Sequence, residues 1–312
     1  KDFNRLLSAN QSKDLRLRMT VPEGVYLDEV SIARGLPPQR MENAAIPYME
    51  YVLARRRGTD LDSLFTTVFE PYRKDRYLEK IELAPIEKVS GSELPGDSAR
   101  ALKIQHVNGR VDYVVYATNN SVTYSIDNLF EFKGFIGVNC RDENGRSLYS
   151  YVQDGEKLDS LTALPAVMGR VVDFTRELTL ENSLTVKTDT QVDPTELVGR
   201  FVYIENDGTE NAAYQIVGAE SAGDGKLVLD VGRSSFVRNY YDIRDLNRGF
   251  VYNIEKNQRF RIPLSKSVDT SPVFTQIEEK NVDAGSELRF TVGASSPADK
   301  ALVYRAERLP RG

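Results

Sequence analysis

The sequence predicts an all-β protein of antiparallel sandwich type, and three observations carry that prediction. Apolar and polar residues alternate with period two along most of the chain, the repeat of strands that bury one face. Gly, Asn, Asp and Pro break the alternation at short, regular intervals, as in connections between antiparallel strands. Helical periodicity is confined to two short stretches, "DSLTALPAV" (159–167) and "SSFVRNYYDIRDL" (234–246).

Each element follows in order. "LRLRMTV" (15–21) sets Leu15, Leu17, Met19 and Val21 on one face, with Arg16, Arg18 and Thr20 on the other. "YVLARRRGTDLDSLFTTVFEPYR" (51–73) reads as a hairpin, two apolar runs around a polar turn with three arginines at its wet end. "YLEKIEL" (77–83) is the next strand. "ARALKIQHVNGRVDYVVYA" (99–117) places two runs about Asn108-Gly109, a strong hairpin signal because both central residues of a type I′ turn need positive φ. "LFEFKGFIGVN", "SLYSYVQ", "RFVYIEN", "AAYQIVGAE", "KLVLDV", "FVYNIE" and "RFRIPL" complete the set. Turn-rich breaks near 154–168 and 265–274 divide the chain into a large β-sandwich (1–155), a smaller β domain (156–268) and a linker with a partial strand set (269–312).

Composition sets function classes aside. Lys+Arg (41) against Asp+Glu (46) gives a net charge of -5, so no global basic field exists to hold nucleic acid. No run approaches the ~20 apolar residues of a membrane span. The single cysteine, Cys140, rules out an internal disulfide. With one histidine and no HExxH, G-x-S-x-G, GxxxxGK[ST] or GxGxxG, transition-metal, hydrolytic-triad and nucleotide sites are not indicated. No cofactor is called for. The oxygen-rich turns at Asp142, Glu143 and Asn144 and at Asp207 and Glu210 would suit structural Ca²⁺, but they lack calcium-loop spacing and equally suit hairpin turns.

Candidate binding residues are those that can grip an anionic sugar. Alternation sends Arg55 and Arg57 to one face and Arg56 to the other, and a guanidinium offers paired donors for a carboxylate or sulfate. The plainer reading is a solvated strand end paired with Asp60, Asp62 or Glu70. "FVRNYYDIRD" (236–245) combines Tyr240 and Tyr241 with Arg238 and Arg244, aromatic faces beside cations. "YVVYATNNSVTY", with Tyr113, Tyr116 and Tyr124, is a weaker case of the same kind. His106 is the one weak candidate for catalysis, and a lone histidine is more often an ordinary strand residue.

Several of these stretches together resemble the C-terminal β region of heparinase II/III-type polysaccharide lyases. They are "YVLARRRGTDLDSLFTTVFEPYR", "ALKIQHVNGRVDYVVYATNN" and "LFEFKGFIGVNCRDENGRSLYSYVQDGEKL", spanning about residues 14–160. "GRFVYIENDGTENAAYQIVGAES" is similar, less specifically, to the small β unit that follows in larger members. The tail from Pro272 resembles the start of a cadherin-like Ig module, in which only Asp299 remains of the acidic turn. The resemblance implies a secreted or cell-surface protein acting on acidic polysaccharide by elimination across a uronic acid. It places the chemistry mostly in an N-terminal α/α toroid, here a further segment of the parent or a separate chain, and His106 is not matched to the family's functional histidine. It thus implies an accessory β region. A non-catalytic carbohydrate-binding or structural module of a bacterial surface protein is the alternative.

Overall fold

In a computed structural model, residues 16–23, 25–35, 49–61, 63–90, 98–271, 273–275, 281, 287 and 289–296 are described. The fold is almost entirely antiparallel β. Four strands come first: β1 (Arg16–Thr20), β2 (Glu29–Gly35), β3 (Met49–Arg55) and β4 (Val68–Tyr72). β1 pairs with β4 and β2 with β3, so one ribbon is nested within the other along the chain. The hairpin expected over 51–73 does not form, because β3 and β4 lie in different ribbons. Alternation chooses a buried face but not a partner. Cross-strand ion pairs accompany the pairing that forms: Arg34 meets Glu50 at one end of β2–β3 and Glu29 meets Arg55 at the other.

The next ten strands build a sandwich. They are β5 (Leu78–Ala84), β6 (Ile86–Ser90), β7 (Ala99–His106), β8 (Val111–Ala117) and β9 (Thr123–Ile126), then β10 (Phe130–Lys133), β11 (Ile136–Arg141), β12 (Ser147–Gln153), β13 (Lys157–Leu158) and β14 (Leu161–Thr162). One sheet runs β14-β13-β10-β9-β6 and the other β12-β11-β8-β7-β5. Their inner faces meet through Ala101, Tyr113, Val115 and Ala117 on one side and Tyr124, Ile126, Phe132 and Leu158 on the other. Each fully buried Phe, Ile or Leu in that layer contributes about 1.5–3 kcal/mol of transfer free energy.

The β7–β8 hairpin forms where Asn108-Gly109 placed it, but with a different turn. Gly109 has φ 84°, whereas Asn108 is not among the positive-φ residues. Gly109 N–H bonds His106 C=O at 3.0 Å and His106 N–H bonds Arg110 C=O at 2.8 Å. The loop thus has three residues, a type I turn closed by a left-handed glycine, instead of the two-residue type I′ turn.

A second core follows. It comprises β15 (Ala166–Phe174), β16 (Asn182–Thr188), β17 (Phe201–Ile204), β18 (Ala213–Gln215), β19 (Gly218–Gly223), β20 (Lys226–Gly232), the hairpin β21 (Val237–Tyr240) with β22 (Phe250–Tyr252), and β23 (Arg259–Pro263). Seven of these strands form one sheet ordered β18-β17-β23-β15-β16-β20-β19. The sheet curls so that Tyr214 near one edge and Leu229 near the other share a core with Phe174, Phe236 and Ile254. β24 (Ser265–Asp269) then returns to the sandwich and pairs with β12. Farther on, β25 (Val273–Phe274) pairs with β26 (Ala294–Ser295). Asp299, Asp62 and Leu15 lie outside the described residues.

Both stretches expected to be helical belong to sheets or turns. Residues 159–167 contain the β13–β14 turn, with Asp159 at φ 54°, then β14 and the start of β15. Residues 234–246 contain β21, and only Leu246 enters a helical turn, the 3₁₀ turn Leu246–Arg248. Some of their apolar residues fill sheet cores, Leu161 at 6% and Phe236 at 0% exposed among them, whereas Leu164, Tyr241, Ile243 and Leu246 are exposed.

Candidate functional site

The basic end of β3 is held from within the ribbon. Arg55 Nη1 and Arg57 Nη2 reach the same Glu29 carboxylate oxygen at 3.4 and 2.9 Å. Arg57 N–H and Tyr26 O–H both donate to Asp28, whose carboxyl is thereby held below its ordinary range. The partners of Arg55 and Arg57 are therefore Asp28 and Glu29 rather than the expected Asp60 or Glu70, while Asp62, the third expected partner, lies outside the described residues. Glu70 is occupied elsewhere, by Arg76 and two backbone N–H groups. Above the arginines one face of β2–β3 is apolar and exposed, with Val30 53%, Ile32 75% and Val52 48%, while the other is half-buried apart from Leu53 at 45%.

His106 is embedded in a small polar cluster. Its Nε2 lies 2.9 Å from Asp112 Oδ2, and Arg110 Nε donates to the other carboxylate oxygen at 2.6 Å. Tyr77 stacks on the imidazole with centroids 6.2 Å apart. Arg110 also donates to the Cys140 sulfur, a buried thiol pushed up to about 11 by burial and then by Asp112. Each group is committed to a neighbour. The sequence showed none of this, because Asp112 and Cys140 join His106 only through the β7–β8–β11 register.

Tyrosine could serve as the base of an elimination only if its ionised form were favoured. Tyr113 shows the opposite. Burial, and then its 2.6 Å hydrogen bond to Asp127, push its phenol up to about 12. Lys103 shares that carboxylate at 2.8 Å. Because the folded value lies above the ordinary 10.0, Tyr113 stabilises the fold fully below pH 10. Ionising the buried phenol costs the fold about 2–3 kcal/mol relative to the unfolded chain, a loss of stability that sets in above pH 10 and grows as pH rises through about 12. Tyr113→Phe should cost about 1 kcal/mol at neutral pH and flatten the decline above pH 10, read from thermal midpoints across that range.

The Tyr/Arg stretch is brought together only in part. Arg238, at the base of the β21–β22 hairpin, is engaged by Asp207 at 2.8 Å, and that carboxyl is held at about 2 by Arg238 and the Thr209 N–H. Tyr240 packs on Phe250 at 5.3 Å. Tyr241 is 63% exposed at the tip, where the cation over its ring is Arg248, 4.6 Å from the centroid, not Arg244. Asp242 organises the tip, accepting from Arg248 and from the Arg244 N–H. Ile243 (79% exposed) and Leu246 (56%) complete an apolar, arginine-bearing end. Arg248 was missed because it follows a turn that the helical reading of 234–246 did not anticipate.

Asp142 accepts from Asn144 N–H and Arg146 N–H, and Asp207 from Thr209 N–H, so both oxygen-rich loops are hydrogen-bonded turns. Among the described residues no three His, Cys, Asp or Glu side chains converge on a metal position. Two open clefts, of about 630 and 690 Å³, share Gln191, Val192 and Asp193; neither is lined by a histidine or tyrosine. No described helix is long and apolar enough to cross a membrane. No family model, curated protein or solved structure matches the chain.

Proposed function

We propose that this chain is the C-terminal β portion of a secreted bacterial polysaccharide lyase acting on uronic-acid-containing polymer, and that it supports a catalytic α/α toroid rather than performing the elimination. The motifs over about residues 14–160 support the reading. The structural observation that carries it is the β2–β3 ribbon, which exposes an apolar face of Val30, Ile32 and Val52 and is ended by Arg55 and Arg57. A two-stranded ribbon of that kind gains stability by packing against another unit. A toroid seated there would leave the arginines at its seam, where an anionic chain could run. Proton abstraction would then fall to the toroid, since His106 and Tyr113 are each committed to a carboxylate.

The test is the ultraviolet absorbance of newly formed unsaturated uronate. This chain is incubated with a panel of acidic polysaccharides, alone and with the toroid of a heparinase II/III-type lyase supplied in trans. Product only with both is the expected result. Product from this chain alone would overturn it. The surface-module alternative, a binding or structural unit with no catalysis in the parent, is favoured by the exposed Tyr241–Arg248 tip; it predicts sugar binding with no product in either arm.

A further inference from the structure

The register of the seven-stranded sheet assembles a row of cations that no stretch of sequence displays. Arg170 of β15 lies directly opposite Arg259 of β23 on one side and Lys187 of β16 on the other. Lys187 in turn lies opposite Lys226 of β20. All four occupy the face opposite the core: their strand neighbours Val171, Val186, Leu227 and Phe260 are buried, whereas Arg170, Lys187 and Arg259 are exposed and Lys226 half-buried. Strands pack 4.7–4.9 Å apart, so the row is about 14 Å long. Opposed like charges destabilise a sheet, yet among the described residues none of the four has a carboxylate within ion-pair distance. Arg170 alone makes a side-chain hydrogen bond, to the Asn257 carbonyl at 2.8 Å.

The rows on either side narrow the choice of ligand. Two residues along the strands lies a row of Tyr203, Arg261 and Met168, with Tyr203 49% and Met168 52% exposed. Phe201 is tilted beside Tyr203 at 6.5 Å, and Arg261 is tied to Asp154. On the other side the row reads Glu220, Val228, Thr185, Asp173, with a carboxylate at each end. Glu205 flanks Arg259 at one end of the cation row, and Asp173 is itself paired with Arg176 and Lys256, so the strip is short and narrow, with an aromatic margin and a mixed-charge margin. Duplex DNA, with a charge every ≈ 1.7 Å of axis, and an anionic bilayer both need a broad positive surface. A linear polysaccharide has sparse charges along one edge and apolar ring faces that lie on aromatic and thioether side chains. We infer that this face is a binding site for one extended chain of an acidic polysaccharide, its carboxylates or sulfates on Arg259, Arg170, Lys187 and Lys226 and its rings toward Tyr203 and Phe201. The inference does not rest on the lyase reading, since the strip is complete within this chain.

The test uses the whole chain without any added domain. Binding is measured by calorimetry at low and moderate salt to polygalacturonate (carboxylate only), heparin (sulfate-rich), dextran (neutral), a single-stranded oligonucleotide and phosphatidylserine vesicles. The expected result is salt-dependent binding to polygalacturonate or heparin, the stronger of the two naming the anionic group, with dextran, oligonucleotide and vesicles at least tenfold weaker. Arg170→Gln/Lys187→Gln should weaken it at least tenfold, whereas Arg146→Gln, in the β11–β12 turn, should not change it. Because the double variant relieves opposed like charges, its thermal midpoint should equal or exceed that of the parent chain. Lys187→Gln alone, expected to lose about threefold, gives the readout should the double variant not fold. No binding to either acidic polymer, unchanged binding in the variants, or equal binding of oligonucleotide, vesicles or dextran would each overturn the assignment.

Discussion

Glu70→Ala should cost about 3–5 kcal/mol, seen as a lower urea midpoint by circular dichroism. Glu70 sits on β4 with its side chain 1% exposed. One carboxylate oxygen accepts from Tyr77 N–H at 3.0 Å and Leu78 N–H at 2.9 Å, and the other from Arg76 Nε at 3.0 Å. Arg76 then donates to the Leu78 carbonyl at 2.8 Å. The carboxylate thereby fastens the outer ribbon, β1–β4, to the first strand of the sandwich. Alanine leaves the buried Leu78 N–H and the part-buried Tyr77 N–H without an acceptor and a guanidinium without its counter-charge, and an unsatisfied buried group costs more than a made bond contributes. Glu70→Gln keeps one acceptor oxygen for the two N–H groups but turns an amide N–H₂ toward Arg76, so about 1–2 kcal/mol is expected. Arg76→Ala combined with Glu70→Ala should cost less than the two single losses added. Equal effects of Ala and Gln would show that shape, not acceptance, is what the site requires.

That cage marks where the sequence stopped being informative. Alternation identified β1, β5, β7, β8, β12, β17, β20 and β23 because period two is a property of one strand and its buried face. It misassigned β3 and β4 because pairing is a property of two strands, and the ion pairs that accompany it, Glu29 with Arg55 and Glu50 with Arg34, are spread over both arms of a ribbon. Asn108-Gly109 located its turn, but the loop length depended on the register that β7 and β8 adopt across Gln105↔Val111. The candidate site shows the same division. Arg55 and Arg57 were visible as a basic run, yet their counter-charge Glu29 lies on a different strand and Asp28, which holds the Arg57 N–H, just before it. Arg170, Lys187, Lys226 and Arg259 are four unremarkable surface residues until three strand registers place them side by side.

A tightly packed glycine lies between two members of that face. Gly169→Ala should destabilise the seven-stranded sheet by about 3 kcal/mol or more. Gly169 is buried on the core side of β15, between Met168 and Arg170. A methyl group there would overlap the backbone carbonyl oxygen of Lys187 and come within 2.9 Å of the Phe260 ring edge. The oxygen belongs to the β15–β16 pair and cannot turn aside as a side chain can. The strands must separate, and with them the Arg170–Lys187 and Arg170–Arg259 contacts across the sheet. Gly218→Ala is the comparison. Its methyl would meet only Asp230 Cβ at 3.4 Å, and its effect should stay within about 0.5 kcal/mol. The two kinds of variant then separate fold from binding. Gly169→Ala should lose thermal stability and polysaccharide binding together, because the row depends on strand spacing. Arg170→Gln/Lys187→Gln should lose binding while the sheet keeps or gains stability. A Gly169→Ala protein that melts like the parent chain would mean that β15 and β16 do not approach as closely as the row requires.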